Sequence, residues 1–217
     1  MVLRLCGALS VPLRERNAML LAAGYAPVYR ETALDAPEMA EVLSALRLML
    51  RRHDPFPAVA LDAGWDMVMA NAAYAGVVNA LKPAAAEPMQ PLALTAKPRP
   101  NMLRLLCHPD GARKLIVNWE EVVRSVLMRA RRELLMEGTA AQRALLAEVM
   151  GYAGVPPPDL RELDGARAGL VLPVEVRTGP ATTARFLTTI STLGTAEDIT
   201  LQELRIESFH PVEDAAA

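Results

Sequence analysis

Aromatic side chains, cysteines, excess charge and long apolar runs are all scarce in this chain, and each scarcity excludes something. Aromatics make up 4% of the 217 residues, against 11 methionines, so the core must be built from aliphatic and thioether side chains. Such cores fit irregular shapes and flexible apolar guests, although a single methionine serves equally well as a gap filler. The net charge of -2 lacks the basic excess of a free-standing nucleic-acid binder. Two cysteines, Cys6 and Cys107, cannot make a disulfide framework, and no Cys/His spacing suits zinc. Neither metal nor cofactor is therefore expected, and a reducing cytoplasm is the expected location. No apolar run approaches the roughly 20 residues that span a bilayer. The apolar start is interrupted by Arg4 and runs into Arg14-Glu15-Arg16, which argues against a signal peptide and against any membrane association.

What is present is 52% hydrophobic, enough for one generous domain or one domain with a small appendage. Val2 to Ala23 reads as two short helices, the second opened by Pro12 and closed by Gly24 and Pro27. Two helices of this size cannot bury a core alone, so they must dock on something or be the remains of something. Asp35 with Glu38 predicts a capping box for a helix carrying Met39, Leu43, Leu46 and Leu50. Ala58–Leu61 and Trp65–Ala70 read as a hairpin across Asp62-Ala63-Gly64, and Asn71 begins an alanine-rich helix through Leu81. A proline- and alanine-rich loop follows from Lys82 to Pro100.

A helical block comes next. It holds a short piece over Asn101–Cys107, a long helix capped by Asn118 with Glu121, and a third helix capped by Thr139 with Gln142. A loop runs from Gly151 to Gly169. The remaining residues alternate with period two around Val174–Val176, Phe186–Ile190 and Leu204–Ile206, with Gly179-Pro180 turning the first pair and 194–200 linking to the last. The expected fold class is therefore α+β, an antiparallel five-stranded sheet with a large helical insertion, preceded by a short helical segment; the order of elements is also that of a PAS-like fold.

Four segments, in order, carry a family resemblance. The stretch Val11-Pro-Leu-Arg-Glu-Arg-Asn-Ala-Met-Leu-Leu-Ala-Ala-Gly-Tyr-Ala-Pro-Val-Tyr29 resembles the junction between an Xre-type helix-turn-helix and an MmyB-like ligand-binding domain. Trp65-Asp-Met-Val-Met-Ala-Asn71 is similar to that domain's second strand. Asn101-Met-Leu-Arg-Leu-Leu-Cys-His-Pro-Asp-Gly111 with Asn118-Trp-Glu-Glu121 is similar to its central helices. Thr188–Thr195 and Asp198–Glu207 are similar to its closing strands. The resemblance implies a PAS-like sensor in a bacterial transcription regulator, taking a fatty-acid-like or other small apolar ligand and controlling an attached DNA-binding domain. It divides the chain at 29/30: residues 1–29 as the end of the helix-turn-helix and its junction, residues 30–217 as the ligand-binding domain. Family members carry a recognition helix upstream of this point, so DNA becomes a partner only with that helix restored. Either the start site is assigned to an internal methionine, the favoured explanation, or the chain is truncated. Cys107 stands where the family pattern leads one to expect an aromatic residue.

A pocket between sheet and helices would be walled by Met67, Met69, Leu105, Trp119, Val122, Phe186, Thr188 and Ile190, residue types that serve plain core packing equally well. For an acyl carboxylate the candidate anchors are Asn101, Arg104 and His108, since an unpaired buried carboxylate is prohibitive. The competing roles of Arg104 and His108 are a solvated helix face and a helix end before Pro109. The arginines 124, 129, 131 and 132 read as a solvated face rather than as contacts to DNA phosphates. No G-x-S-x-G, G-x-x-x-x-G-K, G-x-G-x-x-G or H-E-x-x-H occurs, and His53, His108 and His210 are far apart, so no enzyme is expected. The alternatives are a homodimerisation module without a ligand of its own, compatible with sensing, and an acyl-processing enzyme whose groups converge from distant positions.

Overall fold

The computed structural model describes residues 1–81, 87–157, 173–179, 181–194 and 196–212. Parts of three expected loops (82–86, 158–169 and Pro180) and Thr195 of the closing segment lie outside the described residues.

Two short helices, α1 (Val2–Ala8) and α2 (Leu13–Ala22), open the chain as their apolar spacing predicts. Gly24 ends α2 at φ 80°, a conformation that a β-carbon would strain. Helix α3 (Ala40–Arg52) follows a single 3₁₀ turn over Pro37–Met39. The expected Asp35–Glu38 capping box does not form. Proline forces the residue before it into extended backbone, so Ala36 (φ -68°, ψ 147°) takes the cap position and offers no side-chain acceptor.

The hairpin β1 (Ala58–Leu61) and β2 (Met67–Ala70) turns on Asp62, whose Oδ1 accepts from the amides of Gly64 at 2.9 Å and Asp66 at 3.0 Å. Asn71 is fully buried and ties three elements together. Its side chain accepts from the amides of Ala58 at 3.0 Å and Tyr74 at 3.1 Å and donates to the Phe56 carbonyl at 2.7 Å, which launches α4 (Ala72–Leu81) directly off β2.

The helical block supplies α5 (Met102–Cys107), α6 (Trp119–Glu137) and α7 (Ala140–Met150). The Thr139–Gln142 capping box is present as expected. Asn118, in contrast, does not cap α6. Its amide instead spans to the next strand, donating to the Pro173 carbonyl at 2.8 Å and accepting from the Glu175 amide at 3.0 Å. Strands β3 (Val174–Arg177), β4 (Thr183–Thr192) and β5 (Arg205–Pro211) finish the sheet. Between β4 and β5 lies a five-residue helix, α8 (Ile199–Glu203), where only a link was expected; Asp198 caps it at the Thr200 amide, 2.9 Å away.

The sheet is antiparallel throughout in the order β2-β1-β5-β4-β3, the PAS-like arrangement. Both edges are blunted by irregular chain. Leu92 and Thr95 donate to carbonyls of β2, and Val117 donates to Glu175 of β3. One face carries Val59, Leu61, Met67 and Ala70 against α4, α5, α6 and α7; the other carries Ala58, Ala60, Val68 and Met69 against α3 and Leu204. The β2-β1-β5 half is thus covered on both sides, which explains why all eight residues of β1 and β2 are buried. Strand β4 is less covered, and Ile190 is 45% exposed.

Candidate functional site

The structure divides the expected pocket walls among three places. Met67, Trp119 and Val122 meet in the core between sheet and helices, with Leu105 packed against them. Met69 points the other way, into the core under α3. Perfect alternation would place Met67 and Met69 on one face, but the register slips between Ala60 and Leu61, and the extra residue on β2 turns Met69 and Val68 to the opposite side. Phe186 and Thr188 are half-buried on β4, and Ile190 beside them faces open space.

The three expected anchors are also separated. Asn101 is buried as the N-cap of α5, and its amide is fully used: it accepts from the Leu103 and Arg104 amides and donates to the Gly64 carbonyl at 2.8 Å and Asp66 at 2.7 Å. Arg104 pairs side-on with Glu148 at 2.8 and 2.7 Å on the surface, and this pairing, with the Tyr152 hydroxyl, holds the Glu148 carboxyl down at about 2. His108 is exposed and stands edge-on to Tyr152. Trp119 donates its indole N–H to the Leu106 carbonyl at 2.8 Å, with the Arg113 guanidinium 4.3 Å from its ring. Nearby, burial pushes the Cys107 thiol up to about 12.

The most unusual chemistry lies elsewhere, on residues whose alternation marks them as solvent-facing. Arg205 and Glu207 of β5 are 8% and 2% exposed, and they face the helices, not water. Their cross-strand partners Leu61 and Val59 belong to the same helix-facing core. Glu207 is bonded by Arg129, which α6 sends inward, so this arginine is not part of a solvated row. Glu133, one turn further along α6, accepts from the Trp65 indole N–H at 3.0 Å and from Arg205 Nη1 at 3.4 Å. Both guanidiniums stack on Trp65, Arg129 at 4.4 Å and Arg205 at 4.1 Å from the ring centre. Trp65 itself is held at φ 65°, a left-handed conformation costly for a bulky residue and kept only where its surroundings enforce it.

Two guanidiniums and two carboxylates balance in charge, but the hydrogen bonding is incomplete. Arg129 Nε, Arg205 Nε and Arg205 Nη2 are sealed from solvent without a hydrogen-bond acceptor. Burial pulls the Arg205 guanidinium below its ordinary value, opposed by the charges of Glu133 and Glu207. The same burial, with Glu207 adding to it, raises the Tyr74 phenol. Tyr74 packs near Phe209 at the end of this row, ring centres 6.0 Å apart.

Outside the cluster, an open polar cleft of about 640 Å³ separates the N-terminal segment from the hairpin and α7, with Arg14, Glu31, Asp62, Arg99, Gln142 and Glu203 among its lining. Its floor connects α2 and the segment after it to the sheet. Arg14 grips Glu203 (2.6 and 3.0 Å) and Glu31 (2.6 and 3.0 Å), which together raise its pKa. The Leu13 amide donates to Gln202 at 2.7 Å, and Asp198 accepts from both the amide and the hydroxyl of Thr32. Gln202, Glu203 and Asp198 lie on α8 or its cap, and α8 runs through Leu204 straight into Arg205.

Among the described residues no group of three or more His, Cys, Asp or Glu could hold a metal ion, and no helix is long and apolar enough to cross a membrane. A search of curated proteins returned no match. The family model described as the MmyB-like transcription regulator ligand binding domain matches residues 42–217, from within α3 to the last residue. The chain belongs to that family, and residues 42–217 are the ligand-binding domain of a transcription regulator.

Proposed function

We propose that this MmyB-like domain binds a fatty-acid-like or other small apolar molecule between the helix-facing side of its sheet and α5–α7, and that binding changes how the domain holds residues 11–31. The observation that carries the reading is the clamp at α8. The junction is fastened to the five residues that lead into β5, so a displacement at Arg205 is passed to Arg14 within two residues of chain. A ligand can shift such an arrangement only by the difference in its affinity for two states of the clamp. In a protein that carries a recognition helix ahead of this segment, the clamp would set the placement of the DNA-binding domains; DNA is a partner only in that setting. Homodimerisation and the absence of catalysis belong to the same reading.

Native mass spectrometry of the purified chain, followed by hydrogen exchange with and without oleate, tests it. The expected result is a released fatty-acid-like mass, or a one-to-one oleate adduct, together with altered amide protection over residues 11–31 and 198–211. An adduct with unchanged exchange at the junction refutes the coupling. Absence of any adduct refutes the ligand class. Arg14→Ala is expected to keep the adduct and lose the response at 11–31.

A further inference from the structure

From the charge cluster under α6 we infer that the domain anchors an anionic ligand head, a carboxylate on an apolar tail, by exchanging it for the side chain of Glu133. The inference rests on the sensing role proposed above and assigns the ligand's polar end to Trp65, Arg129 and Arg205, outside the anchors expected from sequence.

Charge balance drives it. The cluster holds two positive and two negative groups, and a fifth buried charge without compensation is prohibitive. An anion can enter only if one carboxylate leaves. Glu207 cannot, since its side chain is 3% exposed and Arg129 holds it. Glu133 can. Its side chain is 36% exposed, its contacts to Arg205 and Arg129 are long at 3.4 and 3.9 Å, and a rotation about its own side chain carries it into water. Its departure frees the Trp65 indole N–H and Arg205 Nη1. Beside them Arg205 Nη2 already lacks an acceptor, while Nε lies 3.8 Å from the retained Glu207, so a ligand carboxylate finds the planar Nη1–Nη2 edge suited to two-point binding. Glu133 therefore acts as an internal stand-in for the ligand's head.

Among the described residues an apolar route for the tail leads from this point. Leu103, Ala130, Leu134, Leu145 and Leu146 line a seam between α5, α6 and α7 that starts at Trp65 and Glu133. The seam encloses only about 10 Å³, so an alkyl chain must part α7 from α6 to enter. Gln142 of α7 is bonded to the Ala63 carbonyl of the hairpin at 2.7 Å and lines both this seam and the polar cleft, which places the opening beside the junction.

Calorimetric titration of the chain with monomeric laurate and with dodecanol separates head from tail. Glu133→Ala is expected to raise laurate affinity about ten-fold, since the competing carboxylate is gone, and to leave dodecanol affinity unchanged. Trp65→Phe, which removes the indole N–H, is expected to lower laurate affinity more than dodecanol affinity. In a nitrogen–proton correlation spectrum, laurate is expected to shift the Trp65 indole signal and leave that of Trp119, which is bonded to Leu106, in place. If both molecules bind but Glu133→Ala alters neither or both alike, the anchor is wrong while the sensor reading stands. If neither binds the wild type or Glu133→Ala, both fall together.

Discussion

Replacing Glu207 by alanine is the sharpest test of the buried cluster. The substitution leaves Glu133, which is partly in water, as the remaining carboxylate of the cluster beside Arg129 and Arg205. Arg129, whose side chain is 28% exposed, can move towards solvent; Arg205, at 10%, cannot. Removing one partner of a buried pair typically costs about 3–5 kcal/mol, because the remaining charge stays desolvated. For a domain of this size each kcal/mol lowers Tm by roughly 2–4 °C, so the expected loss is on the order of 10 °C. Urea unfolding followed by far-UV circular dichroism measures it as a drop in midpoint at constant slope. Glu120→Ala supplies the contrast on the same helix: its pair with Arg124 is at the surface, and its loss is expected to cost less than about 1 kcal/mol. The double replacement of Arg129 and Glu207 by alanine is expected to cost less than the sum of the singles. A Glu207→Ala loss below about 1 kcal/mol would refute the reasoning, since it would mean that the cluster is solvated.

Two further outcomes follow from the surroundings of single groups. Cys107 is fully buried and its thiol is pushed up to about 12, so native protein at pH 8 is expected to resist iodoacetamide at this position and to label there only after unfolding; rapid native labelling would show that the end of α5 opens. Glu148 is held at about 2 against an ordinary 4.5, so its stabilisation is present above pH 4.5 and is lost as the pH falls towards 2; the stability gap between wild type and Glu148→Gln is expected to close over that window, and because the pair is largely exposed the gap should stay within about 1 kcal/mol.

Local chemistry was legible wherever a residue acts on its own neighbours. Thr139 and Gln142 cap each other over three residues, Gly24 ends a helix through its own backbone, and Asn71 marks the switch from strand to helix. The order of the five strands and the longer helices, and with it the α+β class, followed from the same short-range periodicities, while the PAS-like arrangement was carried by the family resemblance and α8 was missed. Asn118 and Asp35 failed for a related reason. A side chain with cap chemistry takes whichever backbone partner the fold presents, and the fold gave Asn118 to β3, while Pro37 moved the cap from Asp35 to Ala36.

What the sequence by itself determined, then, is the five strands and the longer helices in their order, and the apolar content from which the core is built. Only the tertiary structure decided which way side chains face. One extra residue in β2 sent Met69 away from Met67, and helices over one side of β5 turned an alternation of charged and apolar residues into a strand buried on both faces. Period two says that Arg205 and Glu207 share a face; it carries no information about whether that face meets water. The answer depends on Arg129, Glu133 and Trp65, which are 76, 72 and 140 residues from Arg205 and are brought to it only by the packing of α6 and the hairpin against the sheet.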